Sequence, residues 1–472
     1  MAMSMRTTRE IAERFSLELA GAADVEVSGV SLNTAHLLPG GLFIAASGAK
    51  SHGLDHLNVA ITQGAVAVLS DRKEKLAIPS FYHPNPREIA GEVANFIYGT
   101  SDSNMLLYAV TGTNGKTSTV FYLRELLSAL GQSAGMISSA FSRVGGATIA
   151  ADLTTPEAPR IHQLLSQMRD QDQFSAAIEA SAQGISRARL KGLHFRIAGF
   201  SNLSRDHLDD YQDMESYLAA KAKLFTPEYA DKAVIFIEDQ WAQRLYDQLA
   251  IPKISIGGDY RFSYQDGQLD ISGKQLLSAN VLISNLMAKN LVLALVMLLE
   301  GGYSPEKLVR ALDSVNLQVP GRLQRVSEAN PAVFIDYAHT PAAVAASARE
   351  LAKTYPSLTV VLAASGDRDS GKRAEMAKAA AEYANHIVIT DQHPRSEDPS
   401  TIRQQLIAGL QGQVQYTEVD DPEQAIQEAI SLTEESGAVL WCGPGHLRYR
   451  EVKGEKIPFD ALAIAREALG HD

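Results

Sequence analysis

A lysine and a threonine that follow a glycine-bearing turn can hold a polyphosphate, and AVTGTNGKTSTV at residues 109–120 supplies both. Gly112, Thr113, Asn114, Gly115, Lys116, Thr117 and Ser118 form a GxxGK[ST] loop. The glycines let backbone N–H groups approach phosphate oxygens, and the start of the next helix adds its dipole. Lys116 can reach the outer phosphates, and Thr117 offers a hydroxyl to Mg2+. ATP is the expected ligand. The destination of its terminal phosphate is a separate question, because motors, switches, kinases and ligases share this cradle. In a motor or switch the next buried strand should end in an aspartate for Mg2+. Here SAAIEAS ends in Glu179 instead, and the strand after it leads into SNLSRDHLDDY, with His207 beyond its end. Glutamate and histidine on neighbouring strand ends can ligate a second hard ion, Mg2+ or Mn2+ rather than zinc beside ATP phosphates. On those residues alone, a helix-capping Asp206 and a surface His207 are the simpler reading.

Those groups need strands and helices to carry them. MLLYAV at 105–110 is a short apolar run before the loop, and Leu123, Leu126, Leu127 and Leu130 recur at helical spacing up to Gly131. Further buried-strand candidates are SAAIEA (175–180), RIAGFSN (196–202) and AVIFIED (233–239). Alternating with helical segments, they predict a parallel sheet flanked by helices. The first eighty or so residues read as a small α/β unit with strands in GGLFIAASG (40–48) and AVAVLS (65–70), closed by the proline-rich YHPNPRE at 82–88. VPGRLQRV at 319–326 suits a hinge around Pro320 and Gly321. Apolar runs at 332–338, 359–365, 386–391 and 438–443 then predict a Rossmann-like unit, whose first strand lacks the GxGxxG that a dinucleotide would need. The expected fold is α/β in three domains: a small N-terminal α/β domain (1–86), a central P-loop ATPase-like parallel sheet (87–322) and a C-terminal Rossmann-like domain (323–472).

Composition agrees with a chain folded throughout: 472 residues, 45% hydrophobic and 21% charged. A net charge of -12 disfavours nucleic acid as a partner while leaving small anions allowed. The lone Cys442 excludes an internal disulfide framework and reads as a buried apolar side chain. No signal-peptide pattern opens the chain, and the most apolar run, 281–299, is broken by Asn285, Lys289 and Asn290, so it reads as a buried helix. A cytoplasmic protein without membrane insertion, monomeric or weakly oligomeric, is expected.

TGTNGKTST, LTTPEAP (153–159), NLSRDHLD (202–209), YLAAKAKLF (217–225), PGRLQRV, DYAHTP (336–341), GDRDSGKR (366–373) and PRSEDP (394–399) occur in that order. With these motifs the whole chain resembles the Mur ligases, most closely the tripeptide-synthetase branch that adds the third peptide residue. The resemblance implies that the γ-phosphate passes to a substrate carboxylate, giving an acyl phosphate that an amino group attacks. A carboxylate is a poor acyl donor at neutral pH, and phosphorylation supplies the leaving group. Carried over by position, the resemblance implies that Lys116 and Thr117 hold the phosphates and a first metal, with Glu179 and His207 at a second. Lys221 in AAKAKLF matches the lysine that the family carbamylates, and a carbamate's negative charge would help to seat that ion. Without the motif, Lys221 would read as a solvated helix lysine. Asn290 matches an adenine contact, Arg322 and Asp336 match residues near phosphates and ribose, and His339 is expected beside the nucleotide. Thr154, Thr155, Ser181 and Arg189 match contacts to the carboxylate acceptor.

Other positions depart from the family. Its uracil-binding Asp-Ser-Arg precedes a Pro-Gly-Asp-Leu-Phe turn, where this chain has Asn33, Thr34 and Ala35 before PGGLF. Enzymes that add diaminopimelate carry Asp-Asn-Pro-Arg and Gly-Lys-Gly-His-Glu. The corresponding residues here are Gln392, His393, Pro394 and Arg395, and Gly443, Pro444, Gly445, His446 and Leu447. Ala182 and Gln183 likewise replace Ser and His near the metal site. A buried ammonium without an anionic partner costs several kcal/mol, so diaminopimelate and lysine fit poorly. Arg373 and Arg395 remain able to grip a carboxylate. The expected reaction is ATP-dependent joining of an amino acid with a non-cationic distal end to a carboxylate acceptor, with two Mg2+ sites, in small-molecule biosynthesis outside the cell wall. Two alternatives accompany it: an authentic muramyl-dipeptide ligase of peptidoglycan synthesis, and a non-catalytic nucleotide-binding scaffold.

Overall fold

The computed structural model describes residues 5–48, 51–206, 210–281, 284–410, 412 and 414–470. Three sheets organise the chain. The first has the spatial order Glu18–Ala20, Ser80–Tyr82, Ala65–Ser70, Gly41–Ala45, Gly29–Ser31. Its strands bury Val30, Leu42, Ile44, Ala67 and Leu69 against the helix Pro86–Tyr98, which contributes Ala90, Val93, Ala94 and Ile97 to the same core. The proline-rich break at residue 86 is therefore the N-terminus of a helix belonging to the first core, with Pro86 in its first turn.

The second sheet has eleven strands. At its centre Ala134–Ile137, Ser175–Glu179, Leu106–Thr111, Ile197–Phe200, Ala233–Phe236 and Lys253–Ile256 run parallel. Both faces of this region are covered, so its strands are continuously apolar; Ala233–Phe236 is buried at every position. The helix Asn285–Glu300, buried on all sides from Leu291 to Leu299, sits in the core with Lys116–Ala129 and is capped by the Ser284 hydroxyl, which accepts from the Met287 N–H. Cys442 is buried, as expected. The sheet is not wholly parallel. A hairpin, Phe141–Val144 with Ala147–Ala150, extends one side, and the antiparallel strands Tyr260–Gln265, Gln268–Gly273 and Leu277–Asn280 extend the other. These half-exposed strands alternate buried and exposed positions instead of forming apolar runs.

The third sheet has the order Gln324–Arg325, Ala332–Asp336, Ala438–Cys442, Leu358–Leu362, His386–Ile389, Gln415–Glu418. All but the first are parallel. The strand Gln415–Glu418 gives no apolar signal because it lies at the sheet's edge, mostly exposed. The strand of this sheet that comes last in the chain, Ala438–Cys442, inserts between Ala332–Asp336 and Leu358–Leu362, creating a switch point at which a parallel sheet opens a crevice beyond its carboxyl ends. That crevice faces the carboxyl ends of the central sheet, and the two are bonded across the gap. Among the described residues no helix is long and apolar enough to cross a membrane.

Candidate active site

The strand Leu106–Thr111 delivers the phosphate loop. Gly112 and Gly115 have φ of 147° and 83°, conformations that L side chains rarely adopt. A Cβ on Gly112 would collide with Ser201 Oγ, and one on Gly115 with the side-chain oxygen of Asn290. Asn290 thus lies directly against the loop. Gly115 is the N-cap of helix Lys116–Ala129 and has no side chain, so the helix's opening N–H groups have no side-chain cap and suit an anion. The loop is pinned to the next strand's end: the Thr113 N–H donates to Asn202 O (2.9 Å) and the Asn114 N–H to Asn202 Oδ1 (3.0 Å). Ser118 is buried in the helix's first turn.

Lys116 Nζ donates to the carbonyls of Thr113 (2.8 Å) and Gly112 (3.2 Å) and lies 3.9 Å from Glu179. Burial lowers its pKa, opposed by the charges of Glu179 and Asp206. The Thr117 hydroxyl donates to Glu179 Oε2 at 3.0 Å, and the Ser139 N–H donates to the same oxygen at 2.9 Å. Lys221 is buried, donates to Gly112 O (2.7 Å) and rests over the Tyr217 ring. Burial, and then the Lys116 charge, push its pKa well below the usual ammonium value. Its proposed partner His207 lies outside the described residues.

A hydroxyl shelf adjoins this centre. Thr155 Oγ1 donates to the Glu179 carbonyl (2.8 Å), contacts Ser181 Oγ (3.0 Å) and accepts from the Ser181 N–H (2.9 Å). Arg189 donates to Thr155 O and to Glu157, each at 3.1 Å, while Thr154 is half-buried beside them. Next to the shelf, between the first two units, opens a cavity of about 760 Å³ lined by Ser47, Gly48, Arg187, Arg189, Lys191 and Lys223. A smaller one, about 80 Å³, is lined by Asn33 and His36 on one side and Ile149, Leu153 and Arg160 on the other.

The hinge brings Arg322, and the third unit Asp336, His339 and His446, to the same place. Arg322 lies over the Tyr337 ring and donates to Thr117 Oγ1 (3.3 Å). Asp336 accepts from the Ser347 hydroxyl (2.7 Å), the Ala338 N–H (3.0 Å) and the Leu323 N–H (3.2 Å), so its carboxylate clamps the hinge. Burial pushes His339 down to about 4, and its ring packs edge-on to Tyr337. Gly445, at φ 53°, lies tight against Tyr337. Leu447, half-buried, closes a turn onto Pro444 O (3.1 Å).

The two arginines expected to grip a substrate carboxylate are occupied. Arg373, buried, forks onto Glu397 at 2.8 and 2.9 Å and also reaches Gln405. Arg395 pairs with Glu451 at 3.1 Å. Glu397 lies within the PRSEDP motif itself, whereas Glu451 lies outside all the motifs, and neither pairing had a sequence signal. By contrast, both amide atoms of buried Gln392 and Nε2 of His393 have no hydrogen-bond partner among the described residues. The Glu451 N–H donates to His393 Nδ1 (3.0 Å), which makes Nε2 the protonated nitrogen, and burial holds the ring neutral with a pKa of about 4.

Two parallel sheets meeting carboxyl edge to carboxyl edge around a phosphate loop are the architecture of a three-domain, nucleotide-dependent ligase. The sequence matches the Mur ligase family, catalytic domain over residues 26–105, the Mur ligase middle domain over 110–287, and the Mur ligase, glutamate ligase domain over 321–445. It is 40% identical to the UDP-N-acetylmuramyl-tripeptide synthetase of Leifsonia xyli subsp. xyli, covering 98% of this chain and 96% of that one. Among solved structures, a UDP-N-acetylmuramoyl-L-alanyl-D-glutamate–2,6-diaminopimelate ligase superposes with a TM-score of 0.67 at 27% identity, over 99% of each chain. MurF ligase from Thermotoga maritima in complex with ADP superposes with a TM-score of 0.66 at 17% identity, over 94% of this chain and 97% of that one. The chain belongs to the Mur ligase family. It is an ATP-dependent, ADP-forming ligase that joins an amino acid to an acid.

Proposed function

We propose that the enzyme joins an amino acid with an uncharged distal end to UDP-N-acetylmuramoyl-L-alanyl-D-glutamate through an acyl phosphate. The observation that carries this reading is the double use of Glu179. Its carboxylate faces Lys116 and Thr117, while its carbonyl accepts from Thr155 on the hydroxyl shelf. This favours an acceptor carboxylate on the shelf beside the terminal phosphate. The full-length likeness to a muramyl-tripeptide synthetase supports that acceptor. Ala35 at the position of the family's uracil-site arginine, and Asn33 at that of its aspartate, favour a second reading in which the acceptor carries a different group.

The oxygens of Thr117 and Glu179 fit a hard cation, and would hold Mg2+. When bound, that ion neutralises charge on the transferring phosphoryl group. Lys221, whose burial favours the uncharged amine, is suited to react with carbon dioxide, and its carbamate would serve a second ion with His207. An acid oxygen attacks the γ-phosphorus and ADP leaves; the amine then attacks the acyl carbon and phosphate leaves with that oxygen. On the amine side, Gln392 needs both a donor and an acceptor, which a hydroxyl or carboxamide supplies and an ammonium does not.

Incubation of the muramyl dipeptide, its glutamate labelled with 18O, with ATP and single amino acids tests both halves. The expected result is amide product with one label in the released phosphate, and an uncharged polar amino acid outpacing lysine and diaminopimelate. Unlabelled phosphate ends the acyl-phosphate reading; no product from this acceptor favours the second reading.

A further inference from the structure

His446 follows the strand Ala438–Cys442 of the third unit, yet its hydrogen bonds close a circuit through the central unit. Arg322 Nη1 donates to His446 Nδ1 (3.3 Å), and Arg322 Nη2 to Thr117 Oγ1 (3.3 Å). Thr117 Oγ1 donates to Glu179 Oε2 (3.0 Å), which also accepts from the Ser139 N–H (2.9 Å). His446 Nε2 completes the ring by donating to Ser139 O at 3.1 Å. Because guanidinium only donates and a carbonyl only accepts, the imidazole must accept at one nitrogen and donate at the other. It is the neutral Nε2–H tautomer, and its ring also packs on Tyr337, with centroids 5.2 Å apart.

We propose that His446 is a positioning residue: through it, docking of the third unit fixes the Thr117 hydroxyl and the Glu179 carboxylate in the geometry that holds magnesium-bound nucleotide. Ser139 is the transmitting group, since its carbonyl takes the His446 bond while its N–H holds the carboxylate. This goes beyond the ligase reading, resting only on its assignment of Thr117 and Glu179 to the nucleotide site. The part of the chain that carries the amine-pocket candidates thereby takes part in ordering the phosphate site.

His446→Phe keeps a ring against Tyr337 but removes both hydrogen-bonding nitrogens; His446→Gln offers an amide oxygen to Arg322 and an N–H to Ser139 O. In the full-length enzyme, His446→Phe is expected to lower kcat about 100-fold, in line with small displacements at a reacting centre, and His446→Gln to recover most of it. Calorimetry with ADP gives a readout independent of turnover. With Mg2+ the Phe variant binds ADP about tenfold more weakly, the Gln variant binds like the parent, and in EDTA all three bind alike. The proposal is overturned by wild-type kcat in His446→Phe, by a Gln variant as impaired as Phe, or by ADP binding weakened equally with and without Mg2+. If the parent enzyme forms no product from the muramyl dipeptide, only the acceptor assignment fails, and the ADP titrations still decide for or against His446.

Discussion

Two lysines sit within one buried centre, and their environments set them different tasks. Lys116 keeps anionic neighbours, Glu179 and Asp206, and donates to its own loop carbonyls, from which a nucleotide's phosphates can draw it away. Lys116→Ala should cut turnover on the order of 10³-fold while circular dichroism stays unchanged, measured by phosphate release. Lys221 feels the same two acids, but burial and then the Lys116 charge outweigh them and favour its uncharged amine. Turnover in buffer stripped of carbon dioxide should therefore fall severalfold and recover on adding bicarbonate; Lys221→Ala should be insensitive to both treatments. Lys116 and Thr117 were legible as site candidates because loop chemistry demands those types at that spacing, and Glu179 because it ends the next buried strand. Arg373 and Arg395 were legible as arginines, but their pairing with Glu397 and Glu451 was not, since those contacts depend on how loops after different strands meet.

At the scale of elements, the strand–loop–helix from Leu106 to Ala129 shows how backbone shape carries function. Gly115 lies at positive φ with Asn290 against it, so Gly115→Ala combines backbone strain with a collision. ADP affinity should weaken about tenfold or more by calorimetry, with the rest of the fold retained. Four strands of the central sheet and four of the third were legible as short, largely apolar runs, whereas the parallel strands Ala134–Ile137, Lys253–Ile256 and Gln415–Glu418 were not. The antiparallel strands from Tyr260 to Asn280 were not, because half-exposed strands spread their signal over alternate residues. Nor was the allegiance of helix Pro86–Tyr98, whose sequence shows an apolar face but not the sheet that face will cover.

Across the whole molecule, buried histidines stand at the seams between units. His162 joins the first unit to the central one: its Nδ1 lies 2.6 Å from Thr100 Oγ1 and its Nε2 3.0 Å from Lys191 O. His339 and His446 lie where the third unit meets the centre. Burial lowers His162 and His339 from 6.5 to about 4, and His446 to about 3. In that window the unfolded chain binds more protons than the folded one, so stability rises with pH. Unfolding free energies from denaturant titrations should therefore fall as pH drops from 6.5 toward 4, by up to about 1.4 kcal/mol per pH unit for each such histidine. His162→Gln should flatten that slope; an unchanged slope would show that protonation there is not linked to unfolding. What the sequence by itself determined is the local chemistry: which residues cradle phosphate, which runs form strands, and which family motifs occur in order, because these depend on residue type and short-range spacing. Only the tertiary structure decided that Glu179 serves two neighbours at once, that two arginines are already neutralised, and that His446 closes a ring with Ser139. Those facts arise from chain segments 24 to 307 residues apart meeting at two sheet edges, and no local spacing encodes that meeting.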